Sequence, residues 1–188
     1  MDDRHRVSRA VHFPQSFPNK SFDRTTLLTF RADDAEKDNP NRTYKMSVVC
    51  RCIMPDDADV HAYGIRIESK QNAKLEADLG EPPPQEKRRV YLGFYDILYD
   101  VLAALVFEHY RVSVVWVLED GEMAHLEVHF RSLGNEATDK RRRADRSAAL
   151  KSLADRIVGP TIRPGLTDPF QLEMQSQLPS LGLTAAAA

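Results

Sequence analysis

The sequence predicts an α+β fold: an antiparallel sheet in the order β-β-β-α-β-β-α with two main helices packed on one face. Three observations carry the prediction. Residues 111–132 read RVSVVWVLEDGEMAHLEVHFRS, two alternating apolar stretches around Asp120-Gly121, a favoured pair for a tight hairpin turn. Residues 90–110, VYLGFYDILYDVLAALVFEHY, are apolar on nearly every side, as expected of a helix wrapped by its own fold or by another chain. The strand-like segments come in groups instead of alternating with helices, which argues against a parallel sheet.

The elements follow in order. Residues 1–23 place Pro14 and Pro18 among Phe13, Phe17 and Phe22, which suits an extended N-terminal arm laying aromatic anchors on a surface. TTLLTFRA, residues 25–32, has strand composition, and the polar stretch Asp33 to Arg42 with Asn39-Pro40 reads as a loop. KMSVVCRCIM is a second strand, with Val48, Cys50, Cys52 and Met54 on one face because side chains alternate. After a turn-like acidic cluster, VHAYGIRIE reads as a third strand hairpinned to the second, with Gly64 marking a bulge or close approach. Residues 69–89 turn polar, with a short helix through Ala73 to Leu79 and then Pro82, Pro83 and Pro84, and form a flexible excursion. The apolar helix at 90–110 and the hairpin come next. An amphipathic helix over 139–158 carries Leu150, Leu153, Ala154 and Ile157 on one stripe and stops at Gly159-Pro160. Beyond Pro164 periodicity is lost, so residues 165–188 read as an irregular tail.

At 188 residues the chain has room for one domain, here 24–164, between the arm and the tail. A formal charge of −2, from 26 basic and 28 acidic side chains, excludes a global field that would draw the molecule onto nucleic acid or an anionic membrane. Cys50 and Cys52, alternating on a strand, offer no useful disulfide loop, which fits a reducing, cytoplasmic setting. The N-terminus lacks the apolar core of a secretory signal. Asp96, Asp100 and Glu108 inside the 90–110 run exclude a membrane span, since central charges cost about 2.5–3.5 kcal/mol each. Asp96 and Asp100 make no plausible catalytic pair, because no substrate-binding group can be placed beside them. There is no internal repeat and no glycine-rich phosphate loop, and no cofactor is expected.

Function is expected to lie in interactions, not catalysis. Tyr91, Phe94, Tyr95, Leu98, Tyr99 and Leu102 on the apolar helix, with Trp116 on the hairpin, form the candidate interface of a homodimer that also binds another protein; tyrosines bury area there and still satisfy a hydroxyl. The element order resembles in outline that of type III secretion chaperones, small dimers whose middle helix pairs and whose sheets hold an extended client. The resemblance implies a chaperone-like adaptor, although a Pro-containing arm stands where those proteins carry an amphipathic first helix. The alternative is nucleic-acid binding by Lys140, Arg141, Arg142, Arg143 and Arg146 at the start of the 139–158 helix, where planar guanidinium groups suit phosphates. A second alternative is a metal-dependent enzyme around His125 and Glu127. On a strand, however, His125 and His129 stand roughly 13 Å apart, too far to grip one ion. Pairing across a two-residue turn sets Val112, Val114 and Trp116 opposite His129, Glu127 and His125, which are not ligating neighbours.

Overall fold

In a computed structural model the described residues are 6–23, 28, 31–32, 43–105, 107, 110–117, 124–134 and 140–178. They form β1 (Arg6–Phe13), β2 (Arg31–Ala32), β3 (Thr43–Cys50), α1 (Asp57–Leu79), β4 (Val90–Leu98), α2 (Tyr99–Ala103), β5 (Tyr110–Trp116), β6 (His125–Ser132), α3 (Lys140–Ala154), β7 (Val158–Ile162) and α4 (Pro169–Ser176). The strands make one antiparallel sheet in the order β5-β6-β3-β1-β4-β7, with β2 pairing the start of β3. The α+β class with an antiparallel sheet is the one the sequence predicts. Helices lie on both faces of the sheet, however, where the sequence predicts the two main ones on a single face.

On one face Val7, Val11, Met46, Val48, Leu126, Val128 and Phe130 join Leu153 of α3, Ile157 just after it and Met174 of α4 in the main core. Burying a large apolar side chain contributes about 1.5–3 kcal/mol, so this layer dominates stability. On the other face Val49 and Ala124 pack with Tyr63 of α1, and Met54 and Ile67 close the edge of that smaller cluster.

VHAYGIRIE is therefore helical, not a strand. Val60, Tyr63, Gly64 and Ile67 fall at i, i+3, i+4 and i+7, the face the helix turns to the sheet. The competing alternation of Tyr63, Ile65 and Ile67 suggests a strand, yet Ile65 points to solvent. α1 runs on through residues 69–79, and Gly80 ends it with a left-handed φ of 73° and an N–H bond to the Glu76 carbonyl. The connection that follows is anchored: Asn72 accepts from the Arg89 N–H and donates to the Arg89 carbonyl, both at 2.8 Å.

The run 90–110 is not one helix either. Its first nine residues are β4, with eight of them buried, followed by the single turn α2. A strand covered on both faces reads as an unbroken apolar run, so periodicity alone cannot separate it from a buried helix. Its aromatic and β-branched content and Gly93, at φ 153° where a Cβ would overlap the Thr161 carbonyl of β7, decide for the strand.

β1, from the segment read as an arm, lies between β3 and β4 in the middle of the sheet. Val11 pairs with Gly93 and His12 with Tyr91, so Leu92 bulges from the ladder. The bulge carbonyl is satisfied from the C-terminal region: Leu92 O accepts from the Arg163 N–H at 3.0 Å and from Gln175 Nε2 at 2.8 Å. Residues 169–176 are thus helical where an irregular tail is expected. Asp168 caps α4 by accepting the Gln171 N–H, Pro169 occupies its first turn, and Met174 and Leu178 are buried.

Two shorter corrections concern strand ends. Gly159-Pro160 does not stop a helix; α3 ends at Ala154, and Pro160 sits in β7 at the sheet edge, where a missing N–H is tolerated. The hairpin exists as β5 and β6, but Val112, Val114 and Trp116 pair with Phe130, Val128 and Leu126. The register is one residue from that of a two-residue turn, which moves the histidines to the other face from Trp116. The predicted turn residues Asp120-Gly121 lie outside the described residues.

Candidate functional site

α1 packs over β4 and β1, and beside it a cavity of about 490 Å³ opens above β1, β3 and β6. This is within the usual size range of small-molecule pockets. Its floor follows the pleat: Ser8, Ala10 and His12 of β1, Lys45, Ser47 and Val49 of β3, and His125 of β6. Its wall is one flank of α1, where Tyr63, Ile67, Lys70, Gln71 and Lys74 line the cavity at helical spacing.

His12 is the most buried titratable side chain of the lining, 7% exposed. Burial, with Arg9, Arg89 and Arg163 nearby, pushes its pKa from 6.5 down to about 3, opposed by a hydrogen bond to the Gly64 backbone. The ring is therefore neutral at physiological pH. Nε2 has no hydrogen-bond partner, so Nδ1 takes the proton towards Gly64 and Nε2 is left as an acceptor. Gln71 Oε1 and His125 Nε2, which belong to lining residues too, are also buried without partners. A buried polar atom left unpaired costs about 1–3 kcal/mol.

The lining is basic. It includes Arg9, Lys45, Lys70 and Lys74 and no aspartate or glutamate among the described residues. Arg9 donates to the Ser47 carbonyl at 2.6 Å, which holds its guanidinium against β3, and Lys45 lies 3.9 Å from Glu127 outside the cavity. Val48, Val49, Ile67 and the Tyr63 ring supply an apolar component.

Beside this recess α1 is fixed to the bulge of β4. Glu68 accepts from the Tyr91 N–H and pairs with Arg163 at 2.6 Å, and Arg163 also donates to the Tyr91 carbonyl. Tyr91 is buried, which raises its pKa, and its hydroxyl meets His61 Nδ1 at 3.0 Å. Burial also lowers the pKa of His61. At the far end of β1 Ser8 donates to Asp96, a carboxylate whose pKa burial raises and the Ser8 bond lowers.

The predicted interface residues are divided by the fold. Tyr91, Phe94, Tyr95 and Leu102 are buried within the chain itself and Leu98 is half-buried, so the 90–110 helix expected to carry the interface is absent and these side chains do not offer an exposed seam. Tyr99 and Trp116 remain exposed, at 42% and 52%. Lys140, Arg141, Arg142, Arg143 and Arg146 do begin a helix, and their side chains lie outside the described residues. Glu127 bonds His129 at 2.8 Å, and among the described residues no three histidine, cysteine or acidic side chains converge as a metal-binding group. Asp96 is buried and Asp100 exposed, so they form no dyad.

Cys50 and Cys52 are joined by a disulfide, against expectation. β3 ends at Cys50 and a turn follows, held by Ile53 and Met54 N–H bonds to the Cys50 carbonyl, so the two side chains no longer alternate. The basis for a reducing compartment is thereby removed. Among the described residues no helix is long and apolar enough to cross a membrane.

The recess residues His12, Lys70, Gln71 and Lys74 escape sequence reasoning. RVSRAVHF alternates well enough for a strand, but the prolines that follow draw attention to the arm. Lys70 and Lys74 belong to a segment read as a polar, flexible excursion with only a short helix through Ala73 to Leu79. Searches against protein-family models, curated proteins and solved structures give no match for the chain. What the recess can hold follows from its own chemistry.

Proposed function

We propose that this protein binds a small anionic molecule, bearing an apolar part and a hydrogen-bond donor, in the recess between α1 and the sheet. The observation that carries the reading is His12: a neutral, buried imidazole whose Nε2 accepts and has no partner, under a rim of Lys70, Lys74 and Arg9. A ligand hydroxyl or amide N–H would satisfy Nε2, an anionic group would meet the lysines, and Tyr63 and Ile67 would cover the apolar part. An imidazole with a pKa near 3 is a poor general base at neutral pH, which supports binding over acid–base catalysis.

Anilinonaphthalene sulfonate, an anionic amphiphile with an N–H, is a suitable probe. Saturable one-to-one binding is expected, weakening as salt rises and about tenfold or more in Lys70→Glu/Lys74→Glu, as two reversed charges at the rim imply. Binding that ignores both salt and the double substitution would defeat the proposal.

A second reading, recognition of a protein, is supported by the exposure of Tyr99 and Trp116 beside the edge strand β5. Light scattering over a concentration series, repeated with Trp116→Ala, tests its self-association form; a monomer at all concentrations would reject that form.

A further inference from the structure

The Cys50–Cys52 disulfide lies away from the lysine-rimmed recess, in a smaller cavity of about 250 Å³ framed by Arg6, Tyr99, Val114, Trp116 and Leu126. We propose that this pair is a reversible dithiol–disulfide exchange centre for thiol substrates. Three observations converge on it. As a staple the bond does little, since the chain entropy that a cross-link removes from the unfolded state grows with the loop it closes and this loop is among the shortest possible. The turn it spans is held by backbone bonds from Ile53 and Met54 to the Cys50 carbonyl, so it does not need the sulfur bridge to keep its shape.

The second observation is asymmetry of access. Cys52 is exposed and Cys50 is buried in the main core at 6%. Exchange needs one sulfur within reach of an outside thiol and one protected sulfur to resolve the mixed disulfide. Thirdly, the surroundings suit a thiol substrate. The exposed Tyr99 and Trp116 rings offer contact surface to groups flanking the incoming sulfur, and Arg6 at the cavity wall is paired with Asp96 at 3.7 Å, which leaves no carboxylate among the residues framing the disulfide to repel a thiolate.

The chemistry balances without a cofactor. An external thiolate attacks Cys52 Sγ, a bond forms between the two sulfurs, and the Cys50–Cys52 bond breaks with its electron pair leaving on Cys50 Sγ, which takes a proton. A second external thiolate then attacks the substrate sulfur of the mixed disulfide and releases Cys52 as a thiolate. Two thiols are oxidised to one disulfide while the protein gains two thiols, and the reverse steps oxidise the pair again.

The test equilibrates the folded protein in glutathione redox buffers, traps thiols by alkylation and counts them by mass. A single two-electron transition is expected, with unchanged circular dichroism and a change in the emission of Trp116, the only tryptophan. Cys50→Ser should accumulate a mixed disulfide at Cys52, whereas Cys52→Ser should form about tenfold less, because Cys50 is buried. Rates for glutathione and for a cysteine peptide with apolar neighbours distinguish the source of the thiol. A peptide advantage of about tenfold that Trp116→Ala abolishes assigns the site to peptide cysteines, and equal rates assign it to small thiols. Two free thiols in the air-oxidised folded protein, or a disulfide that dithiothreitol opens only after denaturation, would overturn the proposal; both are read on the parent chain and do not depend on any variant folding.

Discussion

Acid should weaken the fold through His12 before it reaches the ordinary carboxylate range. Its pKa falls from 6.5 to about 3 on folding, so between those values the unfolded chain holds a proton that the folded one refuses. Stability from this residue is fully present above about pH 6.5, declines as pH falls, and levels off below about pH 3. At about 1.4 kcal/mol per pH unit the loss approaches roughly 5 kcal/mol. Urea unfolding measured from pH 7 to pH 3 should show this slope in the parent, and His12→Gln should flatten it by one proton. A parallel pH dependence in the two proteins would contradict the burial ascribed to His12. A ligand that donates to Nε2 should deepen the effect, because protonation would then also break its bond.

The elements show where local pattern and tertiary context disagree. α1 approaches the sheet so closely that a Cβ at Gly64 would overlap the buried Tyr91 ring, which His61 holds by its hydroxyl. Gly64→Ala should therefore destabilise by about 1–3 kcal/mol, although alanine normally favours a helix interior over glycine by about 1 kcal/mol. A denaturation midpoint unchanged or raised would show that Tyr91 yields freely. The same contact was half legible: Gly64 signals close approach in the sequence, yet the segment around it alternates well enough to pass for a strand. The β5–β6 hairpin and the Leu150, Leu153, Ala154 and Ile157 stripe were legible because one face of each is wet. β4 was not, since burial on both faces erases the alternation that marks a strand. α4 carried a readable start, Asp168-Pro169 with Gln171, that loss of longer periodicity obscured. The recess stayed hidden because its floor and wall come from four separate segments, with His12 and Lys45 lying 33 positions apart and His125 another 80 positions on.

For the whole molecule the C-terminal segment is structural. Ending the chain at residue 164 would remove Met174 and Leu178 from the core and Gln175 from the bulge of β4. Two large buried side chains contribute about 3–6 kcal/mol, against a total for ordinary domains of about 5–15 kcal/mol. The shortened chain should lose much of its cooperative thermal transition by circular dichroism; one as sharp and as high as the parent's would show α4 to be dispensable. The place of β1 has a consequence of a different kind. β1 leaves a ribosome before the strands on either side of it, and Val7 waits for Ile97 some 90 positions later before its ladder to β4 can close. Until then Val7, Val11 and Phe13 have no finished layer to enter. Such long-range closure is slow, and refolding followed by Trp116 emission should fall in the millisecond-to-second range of non-local β topologies. In a growing chain β1 is thus exposed to unwanted pairing for as long as β4 is still unmade, and the strand that ends at the middle of the sheet is the one most in need of shelter.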